Sequence, residues 1–335
     1  MKPLNRIIEA ARQAPRRIVL PEGEDIRIVE AAVRAKRDGL AESILVGNRQ
    51  VVGEKLKMVG AIPNSIRVED PMTSPLAARL AAAFHDIRRA KGVDAATACE
   101  ALRRPLVFAA MMVREGEADG TVGGAVATTA ETVRVALQTI GKAPGSQLVS
   151  SFFLMLLCQP HHLKKGAVVF SDCGLVVEPD AATMANIACM SARSYEMLAG
   201  APARVAMLSF STSGSAAHER VARVAEATRL AREANPELVI DGELQFDAAF
   251  VEAVCASKAP GSVLNGEANV FVFPNLDAAN IGYKIAERIG GATAIGPILQ
   301  GLAMPANDLS RGCSVDDVYH MIAVTVVQAS RAARA

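Results

Sequence analysis

The sequence is short of the side chains that draw a protein to nucleic acid. It contains no Trp, and aromatic residues make up only 4% of the chain. Because unpaired bases are held by stacking on aromatic side chains, this scarcity argues against a surface for single strands. The formal net charge is +1 at pH 7, so no strong field would attract a polyanion or an acidic membrane. We therefore expect no nucleic-acid partner.

The chain also lacks the cysteine and histidine spacings of metal and redox sites. Its six cysteines are scattered without a C-x-x-C pair, and its five histidines show no H-E-x-x-H spacing. Scattered cysteines are typical of reduced thiols, which predicts a cytoplasmic location and no metal centre. The first residues have no apolar core of the kind that a signal peptide carries. The longest apolar stretch, 151–158, is shorter than the roughly 20 residues of a membrane helix, so we expect no membrane partner.

Short strand patterns alternate with helical patterns along the chain. A β-rich run at 17–21 precedes helical spacing at 25–36 and a second strand pattern at 43–47. This order predicts a parallel sheet with crossover helices, and hence an α/β fold with its site at the carboxyl ends of strands. The length of 335 residues predicts two domains, with a crossing at the Pro144-Gly145 turn. Further helices are predicted at 77–91, 105–115, 128–139, 181–198, 216–235, 278–289 and 315–332, and further strands near 118–122, 167–170, 204–209, 239–244 and 269–273.

A segment near the C-terminus, 307–317, combines groups suited to anion chemistry. Arg311 offers a planar fork of donors for phosphate, and Ser310 offers a small hydroxyl. Ser314 reads as a helix N-cap, with Asp317 three residues on. The same pair fits the S-x-x-D capping box, in which the carboxylate only caps the helix, and the segment judged alone favours that role.

Two loops rich in small residues leave open whether they bind an anion. At 123–131, glycines and the hydroxyls of Thr128 and Thr129 precede a helix, where backbone donors would suit phosphate. The segment is neither G-x-G-x-x-G nor a P-loop. Judged by itself, it favours the alternative, a plain turn in which the threonines cap the helix. At 209–215, an anion-facing loop and a capped turn are about equally supported.

Several phrases, in order along nearly the whole chain, resemble the phosphate acetyltransferase (phosphotransacetylase) family. The wider family includes phosphate butyryltransferase. The phrases are Ile18–Gly23, Leu208–Ser215, Asp241–Ala249, Asn280–Lys284 and Asp308–Ser314.

The resemblance implies two α/β domains with a cleft between them, related to isocitrate and isopropylmalate dehydrogenases. Domain I would combine 1–144 with 299–335, and domain II would be the insert 145–298. The implied reaction is reversible acetyl transfer between coenzyme A (CoA) and phosphate, by direct attack of the CoA thiol on acetyl phosphate. A propionyl or butyryl transferase is the alternative. The family uses no tightly bound cofactor and is usually homodimeric. Central acetate metabolism and microcompartment-linked catabolism both remain open.

The resemblance also implies roles for single residues. Asp317, Arg311 and Ser310 match the catalytic positions of the family. Arg88 and Arg134, which composition alone would treat as surface charges, match arginines that hold CoA. Weaker matches near the acyl phosphate are Thr128, Thr129, Tyr283 and Lys284. Ala127 departs from the pattern, because many relatives carry His or another polar residue there.

Two rival functions belong to other classes. A dehydrogenase of the related fold would need a cluster of metal-binding carboxylates and nicotinamide contacts, and neither is visible in the sequence. A non-catalytic sensor built on a degenerate transferase is disfavoured, because Ser310, Arg311 and Asp317 are all present.

Overall fold

The computed structural model describes residues 2–62 and 64–332, with only the backbone of Lys2 and Ala332. The chain divides into two compact units. The terminal unit comprises Asn5–Ser146 and Leu302–Ala335, and the middle unit comprises Met1–Leu4 and Gln147–Gly301. No helix among the described residues combines the length and the apolar composition needed to cross a bilayer.

Helices and strands alternate through both units. In chain order they are α1 (Lys2–Gln13), β1 (Arg16–Leu20), α2 (Ile26–Arg37), β2 (Ala41–Val46), α3 (Arg49–Met58), β3 (Arg67–Glu69), α4 (Ala77–Arg88, extended by a 3-10 turn at Arg89–Lys91), α5 (Ala95–Leu102), α6 (Pro105–Arg114), β4 (Gly120–Gly123), α7 (Thr129–Thr139), β5 (Ser150–Leu157), β6 (Gly166–Ser171), α8 (Ala181–Ala199), β7 (Arg204–Leu208), α9 (Glu219–Ala234), β8 (Val239–Leu244), α10 (Phe246–Phe250), α11 (Glu252–Lys258), β9 (Val270–Val272), α12 (Leu276–Arg288), β10 (Thr293–Gln300), β11 (Ala306–Asp308) and α13 (Val315–Ala332).

The terminal unit is built on a parallel five-stranded sheet in the order β11-β4-β1-β2-β3. The central strand β1 is apolar because it is buried on both faces: Ile18, Val19 and Leu20 are fully covered. The chain proceeds from β1 to β2 and β3 on one side, whereas β4 and β11 lie on the other. In open α/β sheets, such a reversal beside the first strand creates a crevice at the carboxyl edge, where ligands bind.

The middle unit has a six-stranded mixed sheet in the order β10-β5-β6-β9-β7-β8. Strands β6, β9, β7 and β8 are parallel, whereas β5 runs antiparallel to both β6 and β10. The apolar stretch at 151–158 is therefore mostly strand β5, which is almost wholly buried. Sequence periodicity did not identify it, because a strand buried on both faces shows no alternation.

The predicted mixed α/β fold with parallel sheets is confirmed, with two local corrections in the middle unit. The helix predicted from residue 216 begins only at Glu219, after His218 has capped it. The helix predicted at 278–289 starts two residues earlier, because α12 begins at Leu276 with Asn275 as its cap. Asn275 accepts a hydrogen bond from the Ala278 backbone N–H, which fixes the earlier start.

Candidate functional site

Three loops of the terminal unit leave the carboxyl edge of its sheet. They follow β1 (21–25), β4 (124–128) and β11 (309–314), and the three strands are neighbours in the sheet. We call this group of loops the three-loop edge. Helices α2, α7 and α13 start directly after the loops, so their backbone N–H groups begin at the same edge.

A carboxylate of the protein itself fills the glycine loop after β4. Glu22 accepts hydrogen bonds from the backbone N–H groups of Ala125, Val126 and Ala127 at 2.7, 2.9 and 2.8 Å. These are the donors that the sequence offered for a phosphate. Because Glu22 holds them, this loop is fixed by an internal anion and has no free row of N–H groups to offer.

A second carboxyl group lies buried under the same loop. Asp308, at the end of β11, is fully covered and accepts a hydrogen bond from the Thr129 hydroxyl at 2.6 Å. Its other oxygen, Oδ1, has no partner among the described residues. Burial, together with the smaller effect of the nearby charge of Glu22 and against the hydrogen bonds that lower it, raises the pKa of Asp308 to about 6. Thr129 therefore directs its only proton at Asp308.

Gly124 makes this close arrangement possible. Its φ is +100°, and an added Cβ would lie 2.1 Å from Asp308 Oδ1 and 2.8 Å from the backbone N and O of Leu309. We expect Gly124→Ala to destabilise the terminal unit by about 2–5 kcal/mol, since backbone strain and overpacking both contribute. Thermal unfolding of Gly53→Ala is the control. Gly53 lies within α3, and its Cβ would meet nothing within 4 Å, so that variant should be as stable as the wild type or more so. Equal stability of the two variants would contradict the steric account.

The raised pKa of Asp308 predicts a pH-dependent effect of Asp308→Asn. The carboxyl shifts from 3.8 to about 6 on folding, so its ionised form is unfavourable in the folded protein. A pKa shift of about 2 units, at ~1.36 kcal/mol per unit, destabilises the folded protein by ~3 kcal/mol at most. The destabilisation is complete at pH values above the folded-state pKa of Asp308 and absent below its unfolded-state pKa. Asp308→Asn should therefore unfold at a higher temperature than the wild type at pH 8, and this gain should disappear as the pH falls from 6 towards 4.

Asp316→Asn is the matched control for that experiment. The guanidinium of Arg34 lowers the pKa of Asp316, so the sign is opposite and the variant should gain no stability at alkaline pH. A gain for Asp308→Asn that is the same at pH 4 and pH 8 would show that ionisation of Asp308 is not its cause.

The predicted catalytic segment forms a tight turn that ends at α13. The Cys313 N–H donates to the carbonyl of Ser310 at 2.9 Å, and the Gly312 N–H donates to the Ser310 hydroxyl oxygen at 3.3 Å. Ser310 and Arg311 are exposed. Among the described residues, none is bonded to the guanidinium of Arg311, so its planar fork of donors is available to a ligand.

Ser314 and Asp317 form the predicted capping box. The Ser314 N–H and hydroxyl both donate to Asp317 Oδ2, at 2.8 and 2.9 Å, and the Asp317 N–H donates to the Ser314 oxygen at 3.2 Å. Asp317 therefore does cap the helix, which is the role that the sequence of this segment, judged alone, favoured. Only one carboxylate oxygen takes part in the box, and within the described chain no hydrogen bond is made to Oδ1 of Asp317. Asp317 can therefore cap α13 and still present an oxygen to a ligand.

The two arginines matched to CoA lie on neighbouring helices. Arg88 ends α4 and is half-buried, whereas Arg134 is exposed on α7, which packs against α4. Neither guanidinium is paired with a residue that the structure describes, and Nε of Arg88 is buried without a partner. Thr128 caps α7, since its oxygen accepts from the Glu131 N–H at 3.3 Å. Both unpaired charges therefore lie on neighbouring helices of the terminal unit.

Tyr283 and Lys284 belong to the middle unit. Tyr283 stacks on Phe153 with ring centroids 4.0 Å apart, and burial raises the pKa of its phenol. The Lys284 ammonium donates to Asn280 Oδ1 at 2.7 Å, and Asn280 in turn donates to the Cys173 carbonyl at 3.1 Å. Both side chains are thus held on α12 by their own neighbours.

The hydroxyl-rich loop at 209–215 is a capped turn. The Ser211 hydroxyl and the Gly214 N–H both donate to Glu243, each at 2.8 Å, and the Thr212 oxygen accepts from the Gln245 N–H at 2.9 Å. Of the two alternatives left open by the sequence, the structure supports the capped turn, because the loop is hydrogen-bonded to residues 243 and 245 at the end of β8.

A cavity of about 590 Å³ adjoins the three-loop edge within the terminal unit. Glu22, Val126 and Ala127 contribute to its wall, and the ion pair between Arg104 and Glu131 stands at its border. None of the predicted site residues lines it. Among the described residues, no group of three or more His, Cys, Asp or Glu side chains is arranged to hold a metal ion.

Sequence reasoning missed three residues that organise this site: Glu22, Arg27 and Asp308. Arg27 joins all three loops, because its guanidinium reaches Asp25, Ala125 and the backbone carbonyls at 311 and 313. Glu22 and Asp308 lie inside phrases that the sequence analysis quoted, but nothing local shows which backbone each would meet. Their partners are distant in the chain, so only the fold brings them together.

Comparison with known proteins agrees with this picture. A family model described as "Phosphate acetyl/butaryl transferase" matches residues 3–326. The chain is 55% identical over 328 residues to the phosphate acetyltransferase of Paracoccus denitrificans, which covers 98% of this chain and 99% of that relative. It is 46% identical over 327 residues to the phosphate acetyltransferase of Acetivibrio thermocellus, covering 97% and 98%.

Solved structures give the same answer. A phosphotransacetylase from Streptococcus pyogenes superposes with a TM-score of 0.92 at 42% identity, covering 98% of both chains. A structure described as that of a 4-hydroxythreonine-4-phosphate dehydrogenase from Salmonella typhimurium has a TM-score of 0.52 at 13% identity, over 93% of this chain and 99% of that chain. That likeness shows the fold alone, and it agrees with the predicted dehydrogenase-like fold. The chain thus belongs to the phosphate acetyl/butaryl transferase family of acyltransferases, as its motifs predicted.

Proposed function

We propose that this protein transfers an acetyl group reversibly between CoA and phosphate: acetyl-CoA plus phosphate gives CoA plus acetyl phosphate. The relatives named phosphate acetyltransferase support this reaction. The structural observation that carries it is the unpaired guanidinium of Arg311, which precedes the N-terminus of α13 where Asp317 keeps an oxygen free. A fork of donors beside a helix start suits a phosphoryl group, and the carboxylate beside it suits a proton acceptor.

In the direction of acetyl-CoA synthesis, we infer direct attack of the CoA thiol on the acetyl carbonyl. The sulfur–carbon bond forms, the bond from the carbonyl carbon to the phosphate oxygen breaks, and phosphate leaves with the electron pair. Asp317 accepts the thiol proton, Arg311 stabilises charge on the phosphate and the carbonyl oxygen, and Ser310 positions the substrate by a hydrogen bond. No cysteine carries the acetyl group in this scheme. A trapped acetyl-thioester on the protein would contradict it.

The timing of the proton transfer follows from ordinary acidities. A free thiol has a pKa of about 8.5 and an ordinary aspartic acid about 3.9, so complete prior transfer would cost about 6 kcal/mol. Transfer concerted with the attack avoids that separate cost, because the sulfur loses its proton as its bond to carbon forms. We therefore propose a concerted step.

Arg88 and Arg134 are proposed to hold the phosphates of CoA. Their guanidiniums are unpaired within the described chain and lie on adjacent helices, which suits an extended polyanion. Replacing either with Lys should raise the KM for CoA more than the KM for acetyl phosphate. A selective rise for acetyl phosphate would assign the arginine to the other substrate.

Thr128, Thr129, Tyr283 and Lys284 are proposed to lie near the acyl phosphate. For Thr129 the structure sharpens this assignment, because its proton is directed at Asp308 and its oxygen can only accept. Thr129 then contacts the substrate as an acceptor or acts by holding the loop. Thr129→Val should consequently alter stability along with the KM for acetyl phosphate, whereas Lys284→Met should alter that KM alone.

The test of the function is the appearance of thioester absorbance when the protein is mixed with CoA and acetyl, propionyl or butyryl phosphate in parallel. Preference for acetyl phosphate supports the proposal, and preference for a longer chain supports the alternative that the family includes. Absence of thioester with all three would refute both. A change in absorbance at the NADH wavelength with a hydroxy acid and NAD would indicate the rival dehydrogenase.

We also propose that the protein is a cytoplasmic homodimer and needs no tightly bound cofactor. Exposed isoleucines on α12 and at its C-cap, Ile281, Ile285 and Ile289, offer an apolar face for a second copy. Sedimentation should show a dimer for the wild type and a monomer for Ile285→Arg; a wild-type monomer would refute the proposal. Full activity after dialysis against a chelator would support the absence of a tightly bound cofactor. Recovery in the soluble cell fraction would support the cytoplasmic location.

A further inference from the structure

Arg27 of α2 is fully committed to protein acceptors. Its Nε and one Nη2 proton are donated to the two oxygens of Asp25, at 3.0 and 2.7 Å, and a further Nη2 bond goes to the Ala125 carbonyl at 2.9 Å. Nη1 is bonded to the carbonyls of Arg311 and Cys313, both at 2.9 Å. A guanidinium has five N–H donors, and these five contacts use them all.

The five contacts join the three loops of the edge. Asp25 ends the loop after β1, Ala125 belongs to the loop after β4, and the carbonyls at 311 and 313 belong to the loop after β11. Two of the bonds hold the backbone on either side of Gly312, directly at the base of the Arg311 side chain. The orientation of Arg311 therefore depends on a group that has no donor left for a substrate.

Asp25 orients Arg27 by two means. Its carboxylate takes the guanidinium in a bidentate pair, and it also caps α2 by accepting from the Arg27 N–H at 2.9 Å. The pair is largely shielded from water, with 28% of the Arg27 side chain and 16% of the Asp25 side chain exposed. Arginine is needed here because five acceptors are held at once, three carbonyls and the two oxygens of Asp25, whereas a lysine has only three donors on a single nitrogen.

We propose that Arg27 is a positioning residue for acyl transfer: it fixes the turn that carries Arg311 relative to the loops after β1 and β4. The inference rests on the proposed function and deepens it. Since all five donors of Arg27 are bonded to protein acceptors and none is left to bind substrate, loss of these contacts should leave the substrate affinities nearly unchanged and reduce turnover. A displacement of about 1 Å at a catalytic group lowers the rate about 100-fold, and we expect a loss of that size for Arg27→Lys.

The experiment measures kcat and KM for CoA and acetyl phosphate in Arg27→Lys, Arg311→Lys and the double variant. If Arg27 acts through Arg311, its replacement should matter far less once Arg311 is already Lys, so the two losses should not multiply. Multiplicative losses, or a wild-type kcat in Arg27→Lys, would overturn the inference. Arg34→Lys is the matched control, since Arg34 lies on the same helix and bonds α13 through Asp316, two residues beyond the turn. It should keep the wild-type rate.

A second variant, Asp25→Asn, tests the inference without relying on the folding of Arg27→Lys. Asp25→Asn keeps the N-cap of α2, because Asn caps as well as Asp, but it removes the charge that orients Arg27. Loss of the largely shielded ion pair should lower its unfolding temperature modestly, and the folded variant should show a smaller loss of kcat in the same direction. An unchanged kcat would overturn the inference even if Arg27→Lys fails to fold. If the wild-type protein forms no acetyl-CoA, the proposed function is refuted. That result is distinguishable from failure of the Arg27 inference, which requires an active wild type.

Discussion

Asp317→Asn is expected to lower the rate of acetyl transfer by about 100- to 10,000-fold while CoA binding stays nearly intact, the range typical of losing a general base. The amide cannot accept the thiol proton. It can still accept the two hydrogen bonds from Ser314 through its oxygen, so the start of α13 should keep its structure. Steady-state rates from neutral to mildly alkaline pH, with CoA affinity measured by calorimetry, separate loss of chemistry from loss of binding.

Asp316→Asn is the matched control for Asp317→Asn. The two carboxylates are adjacent in the first turn of α13, but Asp316 is exposed and its carboxylate is paired with Arg34. Its replacement should leave the rate unchanged. Wild-type turnover in Asp317→Asn would remove Asp317 from the mechanism, and its role would then be that of a helix cap.

Arg311→Lys is expected to lower kcat by about 100- to 1,000-fold, comparable to removing an oxyanion donor. Lysine retains the positive charge but loses the planar fork that can bond two oxygens at once. Because no described residue bonds the Arg311 guanidinium, the variant breaks no side-chain contact seen in the structure. The thioester assay gives kcat, and thermal unfolding should show no loss of stability.

Arg37→Lys tests whether any arginine replacement has this effect. Arg37 is an exposed arginine at the end of α2, and its loss should not change kcat. Full activity of Arg311→Lys would mean that a point charge is enough, and the bidentate role would be abandoned.

Much of this fold could be read from local pattern. Strand β1 and helix α2 were predicted nearly to the residue, because buried β-branched runs and a capped 3.6-residue periodicity are strong local signals. Helix α13 was predicted with its observed ends, since Ser314 and Asp317 mark its start. The strand β5 was missed because it is buried on both faces and shows no alternation, and β10 was missed because it contains Gly296-Pro297, a dipeptide typical of a turn.

The candidate site could be predicted only in part. The hydroxyl, guanidinium and carboxylate of 310–317 lie close in sequence, so the motif shows them together. The residues that hold this segment do not: Arg27 is 284 positions from Arg311, and Glu22 is 103 positions from Ala125. Charge type can be read from a sequence, but the choice of partner is made by the topology that brings β1, β4 and β11 side by side.

The hydrogen bonds of Glu22 fix the loop after β4 without involving the side chains of that loop. Glu22 grips the chain at 125–127 only through main-chain hydrogens, which every amino acid except proline supplies. Val126 is 62% exposed and Ala127 is partly exposed, so their side chains are not needed for the anchor. Other side chains, polar ones included, can therefore be accepted at these two positions without loss of the hydrogen bonds that fix the loop. Side chains at positions 126 and 127 can therefore change while the main-chain anchor to Glu22 is kept.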